Sequence, residues 1–430
     1  MTPEPVVQDT SNRPVTRGRG IGWLSAAAMI GALANAVAGT AGALLAERLG
    51  GATWYAGWPQ AMIVVGTAIA ALVISPASRG GGRARALAWG AIAGAFGAAA
   101  VVVSAIAGAI VAMLLGSLLF GAGNAVVMLS RYAAAERAAP ANRVRALTRL
   151  LVATSVGAVL GPLLLEPSDA AGRAVGLPPL AGCFVLGAVG FAVAAAELFR
   201  SAPRRSVAPQ RRDESSPMTD AAADATADAV AVAAATSAPG RSSTASRRDS
   251  IVGIGVLSLA NVVMVTVMAV LPVHLGHLHV DLASVGVLIS AHIAAMFAPS
   301  PLSGALVERW GAEVVACIGA VVLAAAACLA TGAPQSVPGV AIAVVLIGLG
   351  WNLSLVAGSA VLSRDADERV RLRREGWGEV GMGVAAAGGA AASGTVLQLA
   401  GFGAVATAAA VVAVVLLAWA AAAGPARGRP

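Results

Sequence analysis

The chain has 430 residues, of which 58% are hydrophobic and only 12% charged, and its mean hydropathy is +0.81. This composition lies far outside the range of soluble globular proteins and predicts a polytopic helical membrane protein. The net charge of +8 rests on 29 Arg residues without a single Lys, and we interpret it as a topological signal rather than a nucleic-acid-binding one.

Six apolar runs precede residue 200, and each is long enough to cross a bilayer as a helix. The predicted spans are residues 21–46, 54–77, 86–106, 108–132, 145–165 and 177–198. The first run follows three Arg residues, as a secretory signal would. It is too long for the hydrophobic region of such a signal, so we interpret it as the first span.

The chain changes character between residues 201 and 250, where Ser, Arg, Asp, Ala and Pro dominate. Such a composition cannot bury enough apolar surface to offset the entropy of ordering, so we predict a disordered cytoplasmic linker. At most, a weak surface helix could form over residues 221–237.

Six further spans follow the linker, at residues 251–272, 284–304, 313–331, 338–361, 378–399 and 401–423. The predicted fold is an all-α membrane protein with 12 transmembrane helices in two pseudo-symmetric six-helix bundles, 21–200 and 251–423. The remaining segments, 1–20 and 424–430, are predicted tails. Of all the Arg residues, only Arg48 and Arg173 fall in loops on one side, so the positive-inside rule places both termini in the cytoplasm.

Four of the six Asn residues lie within apolar spans and recur at a nearly constant offset. Asn35 and Asn261 are 226 positions apart, and Asn124 and Asn352 are 228 apart. An amide in hydrocarbon is costly unless it finds partners or water. The repetition therefore favours a polar cavity between two related halves, as in a secondary transporter. The alternative is that each amide forms a hydrogen bond between helices.

The segment after the eighth span, residues 304–311, reads Gly-Ala-Leu-Val-Glu-Arg-Trp-Gly. It resembles the signature loop of the major facilitator superfamily, Gly-x-Leu-x-Asp-Arg-x-Gly, with Glu308 in place of Asp. The resemblance covers the chain apart from its tails and linker. It implies that the first, fourth, seventh and tenth spans line a central cavity, and these spans contain the four Asn residues.

In such a loop, the Glu308 carboxylate would accept hydrogen bonds from free amides of a neighbouring helix, and this latch would close the cytoplasmic side. In the first-half counterpart, residues 78–85, Ser78 stands where the acidic residue belongs. An ordinary charged turn is the alternative. The predicted latch residues are Arg79, Arg83, Glu308, Arg309 and Gly311.

The fifth span contains Gly157, Gly161 and Pro162, which resemble the Gly-x-x-x-Gly-Pro core of a motif found in exchangers of this superfamily. The resemblance implies efflux by exchange, although Leu165 and Glu166 replace the Gly-Gly that completes the motif. Because Pro frees a backbone carbonyl and produces a bend, a merely kinked packing helix is the alternative. In the fourth span, Ser117 replaces an Arg that efflux members often carry. No acidic residue lies near the middle of a span, so protons remain only a candidate coupling ion.

His274, His277 and His279 precede Asp281 in a predicted outward loop. Their spacing could ligate a metal, but an exposed polar loop is favoured, and no metal or cofactor is predicted. His292 lies inside the eighth span, where we favour a packing role over a titrating one.

The predicted substrate-binding residues are Asn35, Asn124, Asn261, Asn352 and Trp351. A lining with so little charge suits a small neutral or amphipathic solute. We predict a monomeric plasma-membrane transporter that works by alternating access, as efflux by exchange, with the bilayer and the solute as partners and no nucleic acid. The alternatives are an importer or passive facilitator, a lipid-modifying membrane enzyme, or a transport-like sensor.

Overall fold

The computed structural model describes residues 17–77, 82–137, 143–201, 243–364 and 368–423. Every regular element in these ranges is helical, and none of them contains a strand. Arg79 of the predicted latch and most of the predicted linker lie outside the described residues.

The described residues of the first half form seven helices. They are α1 (Arg17–Gly50), α2 (Trp58–Ala77), α3 (Arg83–Ala107), α4 (Ile110–Arg137), α5 (Arg143–Leu163), α6 (Leu165–Ala174) and α7 (Ala181–Ser201), with a 3-10 turn at Thr53–Tyr55. All except α6 correspond to the six predicted spans. Helix α6 is a short connecting helix that contains Glu166, Asp169 and Arg173.

The second half also has seven helices in the part that the structure describes. They are α8 (Ser243–Met268), α9 (Leu271–His277), α10 (Leu282–Phe297), α11 (Ser300–Trp310), α12 (Ala312–Gly332), α13 (Val337–Leu362) and α14 (Glu368–Ala423). Helix α8 begins inside the segment predicted as linker. The seventh span is α8 followed by α9, and the eighth is α10 followed by α11.

Two interruptions in the second half follow from residue chemistry. Pro299 and Pro301 cannot donate backbone hydrogen bonds, and the eighth span breaks between α10 and α11 at this point. Gly401 has a φ of 76°, which favours Gly, and it divides the long helix α14 into the eleventh and twelfth spans. The described residues contain eleven helical stretches apolar enough to cross a membrane, and the last covers both of these spans.

The two halves repeat the same pairings of helices. In the first half, α1 packs against α5 and α7, and α4 packs against α2 and α3. In the second half, α8 packs against both of the spans that make up α14. Helix α13 packs against α10, α11 and α12. The predicted fold class is therefore confirmed. We call the side on which α7 ends and α8 begins the linker face, and the other side the opposite face.

Candidate functional site

Asn124 joins the fourth span to the second. Its Nδ2 donates to Thr67 Oγ1 at 3.0 Å. The Thr67 hydroxyl lies between the carbonyl oxygens of Ile63, at 2.7 Å, and Gly121, at 3.1 Å. A Cβ on Gly121 would lie only 2.7 Å from the Thr67 nitrogen, so glycine permits this approach. The amide thus belongs to a close contact between α2 and α4.

Asn352 makes the corresponding contact in the second half, from the tenth span to the eighth. Its Nδ2 donates to the Met296 carbonyl at 2.7 Å and to Ser300 Oγ at 2.9 Å. The Ser303 hydroxyl donates to its Oδ1 at 2.6 Å. The side chain has no exposed surface. Because the break between α10 and α11 interrupts the helical hydrogen bonds, this amide supplies partners on both sides of it.

The repeat seen in the sequence therefore recurs in the contacts. Asn124 and Asn352 lie 228 positions apart and connect equivalent pairs of spans. In this conformation both amides bind protein groups, as the interhelical alternative describes. Their predicted role in binding solute stays a prediction.

Asn261 joins three spans of the second half. Its Nδ2 donates to the Met382 carbonyl at 2.8 Å, and its Oδ1 accepts from Trp351 Nε1 at 3.1 Å. The Trp351 ring meets Phe297 edge-on, with the ring centres 6.4 Å apart. Both the amide and the indole are buried. The indole therefore fixes the orientation of the Asn261 side chain.

Asn35 lacks an equivalent partner. Its Oδ1 is buried and accepts no hydrogen bond from the described residues. At the 228-residue offset, the position of Trp351 is occupied in the first half by Gly123, against which the Phe191 ring packs. An unpartnered buried acceptor costs about 1–3 kcal/mol. Asn35 thus carries a buried acceptor without a partner among the described residues, and in this respect it differs from Asn261 in the second half.

Charge is absent from the inner parts of the four spans that contain the Asn residues. No Asp, Glu or Arg occurs within residues 22–46, 110–130, 250–268 or 337–362. A charged solute buried beside them would therefore lack a counter-charge from these spans, and this arrangement can recognise a solute through amide and indole hydrogen bonds.

Glu308 and Arg309 lie in the last turn of α11, so the loop predicted for them is wrong. Gly304 does not interrupt the helix, and α11 continues until Gly311, whose φ is 87°. Both charged side chains are exposed. Within the described part of the chain, neither makes an ion pair or hydrogen bond. Arg83, the other described Arg of the predicted latch, is the first residue of α3.

A strong ion pair beside the latch was missed by the sequence reasoning. Arg364, just after α13, donates to the Glu313 carboxylate near the start of α12 with both terminal guanidinium nitrogens, one of them at 2.8 Å. These hydrogen bonds to Glu313 raise the pKa of Arg364 above its ordinary value. Glu313 lies two residues beyond Gly311, so its place next to the motif was the available signal.

The glycines of the fifth span lie against the first span. A Cβ on Gly161 would lie 2.7 Å from the Leu33 carbonyl oxygen, and one on Gly157 would clash with the Met29 carbonyl. Between these glycines in sequence, Val159 offers its carbonyl to the Ser290 hydroxyl of α10 at 2.7 Å, which connects the two halves. Pro162 is the penultimate residue of α5. Its role as a bend in the transport cycle stays a prediction.

Contacts between the halves concentrate towards the opposite face. The Trp54 amide donates to Gln398 Oε1 at 3.0 Å, and Glu47 Oε1 lies 2.7 Å from His277 Nε2. Helix α2 also packs against α14 next to Gly57, where a Cβ would clash with the Ala390 carbonyl. The structure is thus closed on this face.

The histidines do not form the predicted exposed loop. His274 and His277 belong to α9, and His274 is buried, with its ring stacked on Phe402 and its Nε2 2.7 Å from the Pro334 carbonyl. His292 is also buried, and its Nδ1 lies 2.7 Å from the Val344 carbonyl. Among the described residues, no group of three or more side chains could hold a metal ion.

Comparisons with known sequences agree on one family. The model of the Major Facilitator Superfamily matches residues 251–430. Two proteins of Bacillus subtilis (strain 168), named as the uncharacterized MFS-type transporters YddS and YdeG, are 32% and 33% identical over 359 residues. These alignments cover 83% of this chain and 80% and 81% of the relatives. The riboflavin transporter RfnT of Brucella anthropi is 28% identical over 80% of each chain.

Solved structures show the same fold. The human organic anion transporter MFSD10 aligns with a TM-score of 0.61 at 17% identity, over 95% of this chain and 100% of that one. A bacterial homologue of the human lysosomal transporter Spinster aligns at 0.67 and 12% identity, over 96% and 97%. The nucleoside transporter NupG aligns at 0.67 and 16% identity, over 94% and 100%. At such identities these similarities concern the fold alone.

Proposed function

Since the chain belongs to the major facilitator superfamily and is a multi-pass membrane solute transporter, we propose that it carries a small neutral or amphipathic solute by alternating access, as efflux by exchange. The observation that supports the solute class is the polar but uncharged set formed by Asn35, Asn261 and Trp351. The Gly157–Pro162 motif at the contact between the halves supports exchange.

We propose that the solute first meets Asn35, because its buried acceptor has no partner among the described residues. A hydroxyl or N–H group of a solute could supply the missing donor. Asn261 and Trp351 would contribute from the second half. Asn124 and Asn352 would take part only if another conformation releases the hydrogen bonds that now connect the spans.

The linker face would be cytoplasmic in this proposal. Most of the Arg residues lie on that side, and the positive-inside rule then places the termini and the linker in the cytoplasm of a plasma-membrane protein. Glu308 and Arg309 are exposed in this conformation and would bind groups of a neighbouring helix when that face closes. Labelling of single Cys residues in intact cells and in inverted vesicles tests this orientation.

Exchange is tested with purified protein in liposomes loaded with unlabelled solute. A panel of neutral and amphipathic compounds is screened for uptake of the labelled compound, with empty liposomes as the matched control. Exchange requires faster uptake into loaded liposomes, and insensitivity to a proton uncoupler would exclude a proton-driven importer. Equal uptake with and without internal solute would contradict exchange and favour a passive facilitator.

A flavin-like heterocycle is a second candidate solute, because one relative is named as a riboflavin transporter. Riboflavin is uncharged, and its ring system is planar. The ring carries donors and acceptors that an Asn amide can meet, and an indole can contact the face of the ring. We expect riboflavin fluorescence to change on addition of the protein, with weaker binding to Asn35→Ala. If neither riboflavin binding nor its transport is detected, this candidate is rejected while the proposed transport function stands.

A further inference from the structure

An acid–base pair connects the two halves at the opposite face. Glu47 lies near the end of α1, and His277 is the last residue of α9, 230 positions later. The imidazole Nε2 lies 2.7 Å from Glu47 Oε1, and the side chains are 50% and 22% exposed. The pair is therefore within reach of protons from the solution on this face. Because its members belong to different halves, it must separate if this face opens.

The neighbouring contacts between the halves do not titrate. Gly276 lies against Leu44, and the Trp54 amide donates to Gln398. Both are neutral contacts, so they would respond little to pH. Among the described residues at this face, Glu47 and His277 are the titratable partners that bridge the halves.

Other charged and titratable groups lie within a few residues of the pair in sequence. Arg48 follows Glu47 on α1 and is exposed. On α9, the His274 imidazole is held by the Pro334 carbonyl, and in the following turn His279 is exposed. The Asp281 carboxylate accepts from the Ser284 backbone and hydroxyl, which lowers the pKa of Asp281 and keeps its charge.

We propose that Glu47 and His277 form a pH-sensitive strap, through which protons from the solution at the opposite face hold that face closed. An imidazolium attracts the Glu47 carboxylate, whereas a neutral imidazole offers only an ordinary hydrogen bond. Where the pair is intact, the carboxylate favours the protonated ring; where the halves have separated, this preference is lost. The closed conformation thus binds a proton more tightly, and by linkage it is favoured as the pH falls.

The expected effect is modest because both side chains are partly exposed. A surface ion pair of this kind shifts a two-state equilibrium by about two- to fivefold. The proposed strap rests on the proposed alternating access but not on the identity of the solute.

The test measures the separation of the halves without any solute. Spin labels are placed at Val175→Cys and Leu399→Cys, which are 75% and 80% exposed on the opposite face of different halves. Cys317 and Cys328 are replaced by Ser, and the buried Cys183 is retained. Distance distributions are recorded by pulsed electron resonance between pH 5 and pH 8 in lipid nanodiscs.

The matched variants are His277→Gln and Glu47→Gln, which keep a polar group but cannot form the ion pair. His279→Asn is the control, since Asn tolerates the left-handed backbone of this exposed position, whose φ is 59°. In the parent protein and the control, the short-distance population should grow by about two- to fivefold relative to the long one on acidification. In the two Gln variants the ratio should not depend on pH.

Three results would overturn the proposal. They are a ratio independent of pH in the parent protein, an unchanged pH response in His277→Gln, and an equal loss of the response in His279→Asn. A single distance population in every variant would instead contradict alternating access itself. Two populations whose ratio ignores pH would contradict only the strap.

Discussion

At the residue scale, one amino-acid type occupies different environments in this molecule. Asn352 is fully buried, and three hydrogen bonds join it to the chain around the break of the eighth span. The Asn35 carbonyl oxygen has no partner among the described residues. A buried, satisfied amide stabilises a fold, whereas an unsatisfied acceptor is available to water or a ligand. The two residues should therefore respond differently to substitution.

We expect Asn35→Ala to weaken solute binding about tenfold, as the loss of a hydrogen bond worth about 1–2 kcal/mol implies, with little change in thermal stability. Asn352→Ala should instead lower the melting temperature, because it leaves the Met296 carbonyl and the Ser303 hydroxyl without this partner. The melting temperature and the solute affinity are measured on the same purified variants, by thermal unfolding and by equilibrium binding. Lower stability with unchanged affinity in Asn35→Ala would contradict its proposed role.

At the element scale, the position of Glu308 within α11 supports its proposed role as a latch residue. The carboxylate extends from the last helical turn at the linker face, five residues beyond Ser303, which binds Asn352. It is exposed while the opposite face is closed. It can therefore gain partners when the linker face closes. The free energy of those contacts would affect the conformational change rather than solute binding.

Glu308→Ala should lower the turnover rate while solute affinity changes little, because the lost contacts exist in one conformation only. Glu166→Ala is the matched control, since Glu166 is also exposed but lies in α6 at the opposite face. Transport rates in proteoliposomes and equilibrium binding distinguish the effects. A large loss of affinity with normal turnover would show that Glu308 is not a latch residue.

The spans were predictable because each must supply an apolar length of helix, and that requirement is visible in a single run of sequence. The break at Pro299 was missed because two nearby prolines were read as part of a continuous span. The pairing of Arg364 with Glu313 was also missed, since it depends on how the ends of α12 and α13 approach. The recurrence of Asn was visible, but its partners were not, because Thr67 and Ser300 are ordinary residues in sequence.

At the scale of the whole molecule, the described helices form two bundles that repeat the same pairings. Their mutual contacts include hydrogen bonds from Trp54 and Ser290 and the pair of Glu47 with His277. These contacts come from the described helices themselves, and we predict that residues 202–242 are not needed to hold the bundles together. The linker would then serve mainly as a tether, a role that its polar composition suits.

Shortening residues 202–242 to about half should leave insertion and transport intact, because about 20 residues can still span several nanometres when extended. Expression, size-exclusion behaviour and transport are compared with those of the full chain. Scrambling the order of the same residues provides a control for composition. Loss of both expression and transport in the shortened protein would show that the linker is required for folding.

Because helix α11 follows the break at Pro299, a small rotation at the break would displace the far end of this helix like the end of an arm. From Ser300 to Glu308 the arm is about 12 Å long, at about 1.5 Å of rise per residue. A rotation of about 15° at the Pro299 break would therefore move the Glu308 end by about 3 Å, enough to make or lose a hydrogen bond. Asn352 is bound on both sides of the break, so we expect such a rotation to turn about this amide. A small rearrangement around one buried amide would thus be magnified into a displacement at the linker face.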